Sequence, residues 1–139
     1  MNLDDQITQL LKTTRTIGVV GLSDQPWRAS YGVAAYLLDV GYTIVPINPN
    51  IRSVFGLTAY PDLRAAARDF TLDLIDVFRR SEFVPDIVDD AIDIGAKAIW
   101  LQLGVVHDAA AQHARRAGLI VIMDRCLKVD HARLMSQRT

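Results

Sequence analysis

The stretch Thr16–Ser30, TIGVVGLSDQPWRAS, constrains the fold of this chain more than any other. A short apolar run, Ile17-Gly18-Val19-Val20-Gly21, ends in glycine, and a polar loop then leads into an amphipathic pattern, so the segment reads as strand, turn and helix start. Such a junction gathers backbone N–H groups and the positive end of a helix dipole at one point, which suits a phosphate or pyrophosphate. Gly21 carries no Cβ and lets backbone and ligand approach closely. Ser23 offers a hydroxyl, and Arg28 a guanidinium able to fork onto phosphate oxygens. The ligand implied is anionic, a nucleotide in the first instance. Gly18 and Gly21 are spaced G-x-x-G, which is not the dinucleotide fingerprint, and no Gly-Lys-Ser/Thr occurs to make a Walker A loop. A glycine turn that only joins strand to helix is the alternative these residues leave open.

The remaining chain repeats the alternation. Leu3, Ile7, Leu10 and Leu11 predict a helix over 3–13. A second helix is expected from Ser30, read as its N-cap, to Val40, with Gly41 as the stop. Thr43–Ile47 is the second strand, ended by Pro46-Ile47-Asn48-Pro49-Asn50. A loop with one extended piece near 53–57 follows, and Pro61-Asp62 opens a short helix through Ala67. Leu74–Phe78 is the third strand, apolar except for Asp76. The helix over 82–94 carries Val84, Ile87, Val88 and Ala91 as its apolar stripe and Asp86, Asp89, Asp90 and Asp93 as a solvated face. Lys97–Leu101, a helix over 107–117 started by Asp108, and Leu119–Met123 complete the pattern. It predicts one α/β domain over 1–139: a doubly wound five-stranded parallel sheet with helices on both faces. The expected strand order is 3-2-1-4-5, with the switch point between the first and fourth strands. Loops 21–28, 48–50, 79–81 and 102–107 then converge at the carboxyl ends of the strands.

Charge narrows the partners. Fifteen basic residues stand against sixteen acidic ones with no basic run, which argues against nucleic acid. Cys126 is the only cysteine, so no disulfide and no cysteine-rich metal site is expected. The start, MNLDDQITQLL, is acidic and amphipathic, unlike a secretory signal, and no apolar run approaches the ~18 residues that span a bilayer. The expectation is a cytoplasmic protein with no membrane contact. The composition leaves room for a homodimer.

An NAD enzyme of the usual kind carries an acid at the end of the second strand to hold the ribose. Ile47-Asn48-Pro49 occupies that place here, which disfavours NAD and leaves NADP open. Five ordered motifs cover the chain from about residue 10 to 134: GVVGLS with Arg28-Ala29-Ser30, Val45-Pro46-Ile47-Asn48-Pro49, Val77-Phe78-Arg79-Arg80, WLQLGV from Trp100, and MDRCLK from Met123. Together they closely resemble the stand-alone CoA-binding proteins, which are similar to the N-terminal domain of the succinyl-CoA synthetase alpha subunit. The resemblance implies a Rossmann-like domain that binds coenzyme A or an acyl-CoA. Gly21, Leu22 and Ser23 would meet its phosphates, with Ser30 beside them, and Arg28 would meet the 3′-phosphate. Pro46, Asn48 and Pro49 would shape the adjoining wall. Phe78, Arg79 and Arg80 would border adenine or ribose, while Gln102 and Gly104 would flank the pantetheine path. The synthetase chemistry resides in a second domain for which this sequence has no counterpart, so the resemblance implies binding and not ligation.

Few residues offer chemistry of their own. His107 is a candidate base or a helix cap. Cys126, beside Arg125, is a candidate reactive thiol or buried packing. An acyl transferase or a small NADP-dependent oxidoreductase using either residue is the competing class, set against a binding module without catalysis. Trp27, beside the phosphate loop, is a candidate to stack on a base, and Trp100 belongs to the core.

Overall fold

The computed structural model describes residues 1–135. Its elements in chain order are α1 (Leu3–Thr13), β1 (Thr16–Val20), α2 (Ala29–Asp39), β2 (Thr43–Ile47), β3 (Ser53–Val54), β4 (Leu57–Thr58), α3 (Leu63–Ala67), β5 (Leu74–Val77), α4 (Val84–Asp93), β6 (Ala98–Leu101), α5 (Asp108–Arg116), β7 (Ile120–Met123) and α6 (Leu127–Met135). No helix among the described residues is long and apolar enough to cross a membrane.

The five long strands form one parallel sheet flanked by helices on both faces, as the alternation requires. Their order corrects the expected 3-2-1-4-5. Across the sheet they run β2-β1-β5-β6-β7, so the third long strand lies beside β1 on its inner side and β2 is an edge. The switch point therefore falls between β1 and β5, not between the first and fourth long strands. Two local features accompany this choice. Pro46 lacks an N–H and is tolerated in an edge strand; beyond β2 no long strand pairs, and Tyr60 bridges its outer edge, its N–H donating to the Pro46 carbonyl at 2.9 Å. Gly18 in β1 leaves room for Leu63 and Leu72, 3.6 and 3.4 Å from where its Cβ would stand, so the connection that leads from β2 to β5 can cross closely over the strand.

Strand alternation splits the core into two layers. Val45, Ile75, Val77, Ile99 and Leu101 pack beneath α3, α4 and α5. Ile17, Val19, Leu74, Trp100 and Ile122 pack against α1, α2 and α6. Trp100 is wholly buried, and its indole N–H donates to the Arg125 carbonyl at 2.8 Å.

Several local expectations are corrected. Ser30 is not the N-cap of α2; Arg28 holds that position, with no side-chain capping bond, and Ser30 lies inside the first turn. The extended piece near 53–57 is a hairpin, β3 paired antiparallel to β4, turning at Phe55 and Gly56, both with positive φ. His107, not Asp108, caps α5: its Nδ1 accepts from the Ala110 N–H at 3.1 Å. The 82–94 helix divides into a 3-10 turn, Ser81–Phe83, and α4. The sequence reading omitted α6 altogether.

Candidate anion-binding site

Everything at the carboxyl tip of β1 is arranged around Gly21. Its φ is +83°, and an added Cβ would overlap the Phe78 carbonyl oxygen and lie 3.2 Å from the Arg79 side chain. Only glycine fits this corner. Its N–H donates to Ile47 O at 2.8 Å, while Phe78 N–H donates to Val20 O at 2.8 Å, so the tips of β2, β1 and β5 are tied together there. Leu22 is wholly buried, and its carbonyl accepts from the Asn48 side chain at 3.0 Å.

The loop beyond turns on its own hydroxyls. Ser23 N–H donates to Ser30 Oγ at 2.9 Å, and Ser23 Oγ accepts from Gln25 N–H at 3.0 Å. The buried Ser30 thus pins the loop to the start of α2. No side chain caps that helix, and the N–H groups of Ala29 and Ser30 have no acceptor among the described residues. These donors open on a depression of about 360 Å³ lined by Gly21, Ser23, Arg28, Ala29, Ser30 and Phe78. Unsatisfied helix N–H groups, the positive end of an 11-residue helix dipole and a guanidinium meet in one place. Such a place selects for anions.

A second cleft, of about 200 Å³, opens on the other side of Gly21, between α3 and the start of α4. Ile47, Pro49, Leu63, Phe83 and Ile87 give it apolar walls, and Asp62, Asp86 and Asp90 stand around its mouth. Arg79 reaches into it with its guanidinium over the Phe83 ring, 4.3 Å from the centroid. The arrangement offers a flat apolar slot with polar edges directly beside the anion cradle.

Other predicted residues fall further out. Pro46 faces a separate depression on the outer edge with Tyr60 and Phe70. Arg80 is exposed, with Glu82 3.6 Å away. Gln102 is buried, and its side-chain oxygen accepts from Leu127 N–H at 3.2 Å. Gly104, φ +81°, donates its N–H to Asp124 at 2.8 Å. Both therefore fasten the β6 loop to the segment after β7. Cys126 is partly buried against the α1–α2–α6 layer and borders a small hollow with Leu103 and Val129. Trp27 is 76% exposed on the loop before α2.

The sequence reading missed two features. The slot residues Leu63, Phe83 and Ile87 looked like ordinary apolar positions, and only the position of α3 over β1 and β2 brings them to the site. Asp76, noted only as a polar interruption of its strand, is wholly buried in β5, and neither carboxylate oxygen has a hydrogen-bond partner. Burial pushes its pKa well above the usual carboxylate value. A charged residue within a central parallel strand was the available signal.

Residues 15–132 match the family model described as CoA binding domain. The uncharacterized protein YneT of Bacillus subtilis is 39% identical over 127 residues, covering 91% of this chain and 93% of that one. A hypothetical protein from Pyrococcus horikoshii is similar in structure with a TM-score of 0.92 and 32% identity, covering 96% of this chain and 93% of the other. A protein of Thermus thermophilus gives a TM-score of 0.87 and 33% identity over 96% of this chain and 99% of its own.

Proposed function

This chain belongs to the family of CoA-binding domains, and from that premise we propose that it binds coenzyme A or an acyl-CoA with the phosphates in the cradle at Gly21. What carries the reading is the pair of unpartnered N–H groups at Ala29 and Ser30, opening with Arg28 onto the one corner where a glycine is sterically required. The pyrophosphate meets the Gly21–Ser23 turn and the start of α2, and Arg28 takes the 3′-phosphate. Adenine has the neighbouring apolar slot under Pro49 and Arg79 as its nearest flat surface.

The protein acts in this reading as one cytoplasmic domain over residues 1–139 that holds the ligand without transforming it. His107 supports this, because its ring nitrogen is committed to capping α5. So does the placement of Cys126, partly buried against the α1–α2–α6 layer between Arg125 and Leu127, whose N–H groups are held by Leu101 O and the Gln102 side chain at the β6 tip.

Calorimetric titration with coenzyme A and dephospho-CoA tests the assignment. A charge-assisted hydrogen bond contributes about 1.5–3 kcal/mol. Arg28→Ala is therefore expected to weaken coenzyme A roughly 10- to 100-fold while leaving dephospho-CoA nearly unchanged. Equal weakening of both ligands would move Arg28 to the pyrophosphate, and no change in either would remove it from the site.

A further inference from the structure

Asp76 lies beneath the cradle. It faces the α1–α2–α6 side of the sheet, because Leu74 two residues before it packs in that layer and its register partners Val19 and Trp100 do too. Phe78, two residues on and roughly 7 Å further along the chain, lines the cradle itself. A phosphate held there sits on the order of 10 Å from the Asp76 carboxyl, which is itself wholly buried.

No charged side chain among the described residues pairs with this carboxyl. Val19 and Trp100 flank it in the sheet, and the Trp100 N–H is taken by Arg125 O. On α6, Asp130 is bonded to Arg125 and Arg133, and His131 to the Tyr36 hydroxyl of α2. Asp4 of α1 is engaged by Arg133, and Tyr42 donates to Leu11 O. Asp5 and Lys12 of α1, Arg28, Tyr31 and Asp39 at or within α2, and Cys126 and Lys128 at the start of α6 are the further titratable groups on the helices of that side, and none of them bonds to Asp76.

We propose that Asp76 sets the charge state of the anion site: the cradle binds a phosphorylated ligand tightly while this carboxyl is neutral, and binding takes up a proton from solvent when it is not. The inference rests on the reading of the cradle as a phosphate site. Burial without a hydrogen-bond partner favours the neutral acid and raises its pKa well above the usual carboxylate value, and phosphate charges arriving nearby hold the proton more firmly still. Two unit charges about 10 Å apart, at an effective dielectric of about 20, interact strongly enough to change an equilibrium roughly tenfold. An ionised Asp76 therefore weakens coenzyme A binding by at least that factor. Below the free protein's titration point Asp76 contributes no pH dependence; between that point and the higher one of the complex, affinity falls as pH rises.

Calorimetry with coenzyme A from pH 6 to 9.5, in two buffers of different ionisation enthalpy, compares wild type with Asp76→Asn. The ligand's own ionisations are common to both proteins and cancel in the difference. Wild type is expected to take up a fraction of a proton more than the variant and to lose at least tenfold more affinity toward alkaline pH. The same proton uptake and the same pH dependence in both overturn the inference and leave the CoA site standing. A wild type that does not bind coenzyme A at pH 6 overturns the site reading as well. Should the variant fail to fold, the infrared carbonyl band of the protonated acid in wild type decides: it should persist to higher pH with coenzyme A than without, and an unchanged midpoint refutes the proposal.

Discussion

Replacing Gly21 with alanine separates two physical effects that coincide at the tip of β1. One is backbone conformation: at φ +83° an L-residue with a Cβ costs about 1–2 kcal/mol. The other is contact, since the new methyl meets the carbonyl of Phe78, a backbone group that cannot swing aside. Making room means separating β1 from β5 at their tips and loosening the Phe78 N–H to Val20 O bond, about 1 kcal/mol, together with the packing around it. We expect a total near 3–4 kcal/mol. Gly104 supplies the control, with nearly the same φ of +81° and nothing within 4 Å of an added Cβ. Gly104→Ala should carry only the conformational part, about 1–2 kcal/mol. Urea denaturation followed by circular dichroism gives both values, and for a chain of this size the thermal midpoint of Gly21→Ala should fall by about 10 °C. Equal destabilisation of the two variants would refute the argument that close approach, and not backbone angle alone, demands glycine at 21.

Two further outcomes follow from buried charge. The folded state holds a proton on Asp76 that the unfolded chain releases near pH 3.9, so stability falls as pH rises from there to the raised folded value; Asp76→Asn should gain on wild type by about 1.4 kcal/mol per pH unit from about pH 4.5 upward until that value is reached, and parallel stability curves would contradict this. Asp130 is 4% exposed in its side chain and joins Arg125 and Arg133, so Asp130→Ala strands the Arg125 guanidinium while Arg133 keeps Asp4, and should lower stability by about 2 kcal/mol in urea denaturation.

Much of this architecture was legible because periodicity writes itself plainly into a parallel α/β chain. The strand tips, Gly21 and Arg28 were all placed from residue type alone. Strand order was not, because alternating β and α units with right-handed crossovers satisfy either arrangement. The deciding residue was nevertheless visible: Pro46 cannot serve a strand paired on both sides, yet it was read only as the end of β2. Ser30 misled in the opposite sense, as a good capping residue whose hydroxyl is spent on Ser23 while the cap position falls two residues before it, at Arg28. That leaves the helix N–H groups free, and a conventional cap would have closed the very donors the proposed site calls on. The helix α6 escaped notice because Leu127, its one fully buried apolar residue, is followed by a charged run whose Asp130 turns inward to pair with arginines. The slot beside the cradle depends on where α3 crosses the sheet, which no local pattern encodes.

The central claim, that coenzyme A lies with its phosphates at the corner between β1 and α2, is tested most directly by amide NMR during a coenzyme A titration. The account predicts that the backbone N–H signals of Gly21, Ser23, Ala29 and Ser30 shift together and saturably, while the amides of Thr16, Thr43 and Ile120 at the opposite end of the strands hold still. Saturable shifts confined to other surfaces, with these four amides unmoved, would contradict it.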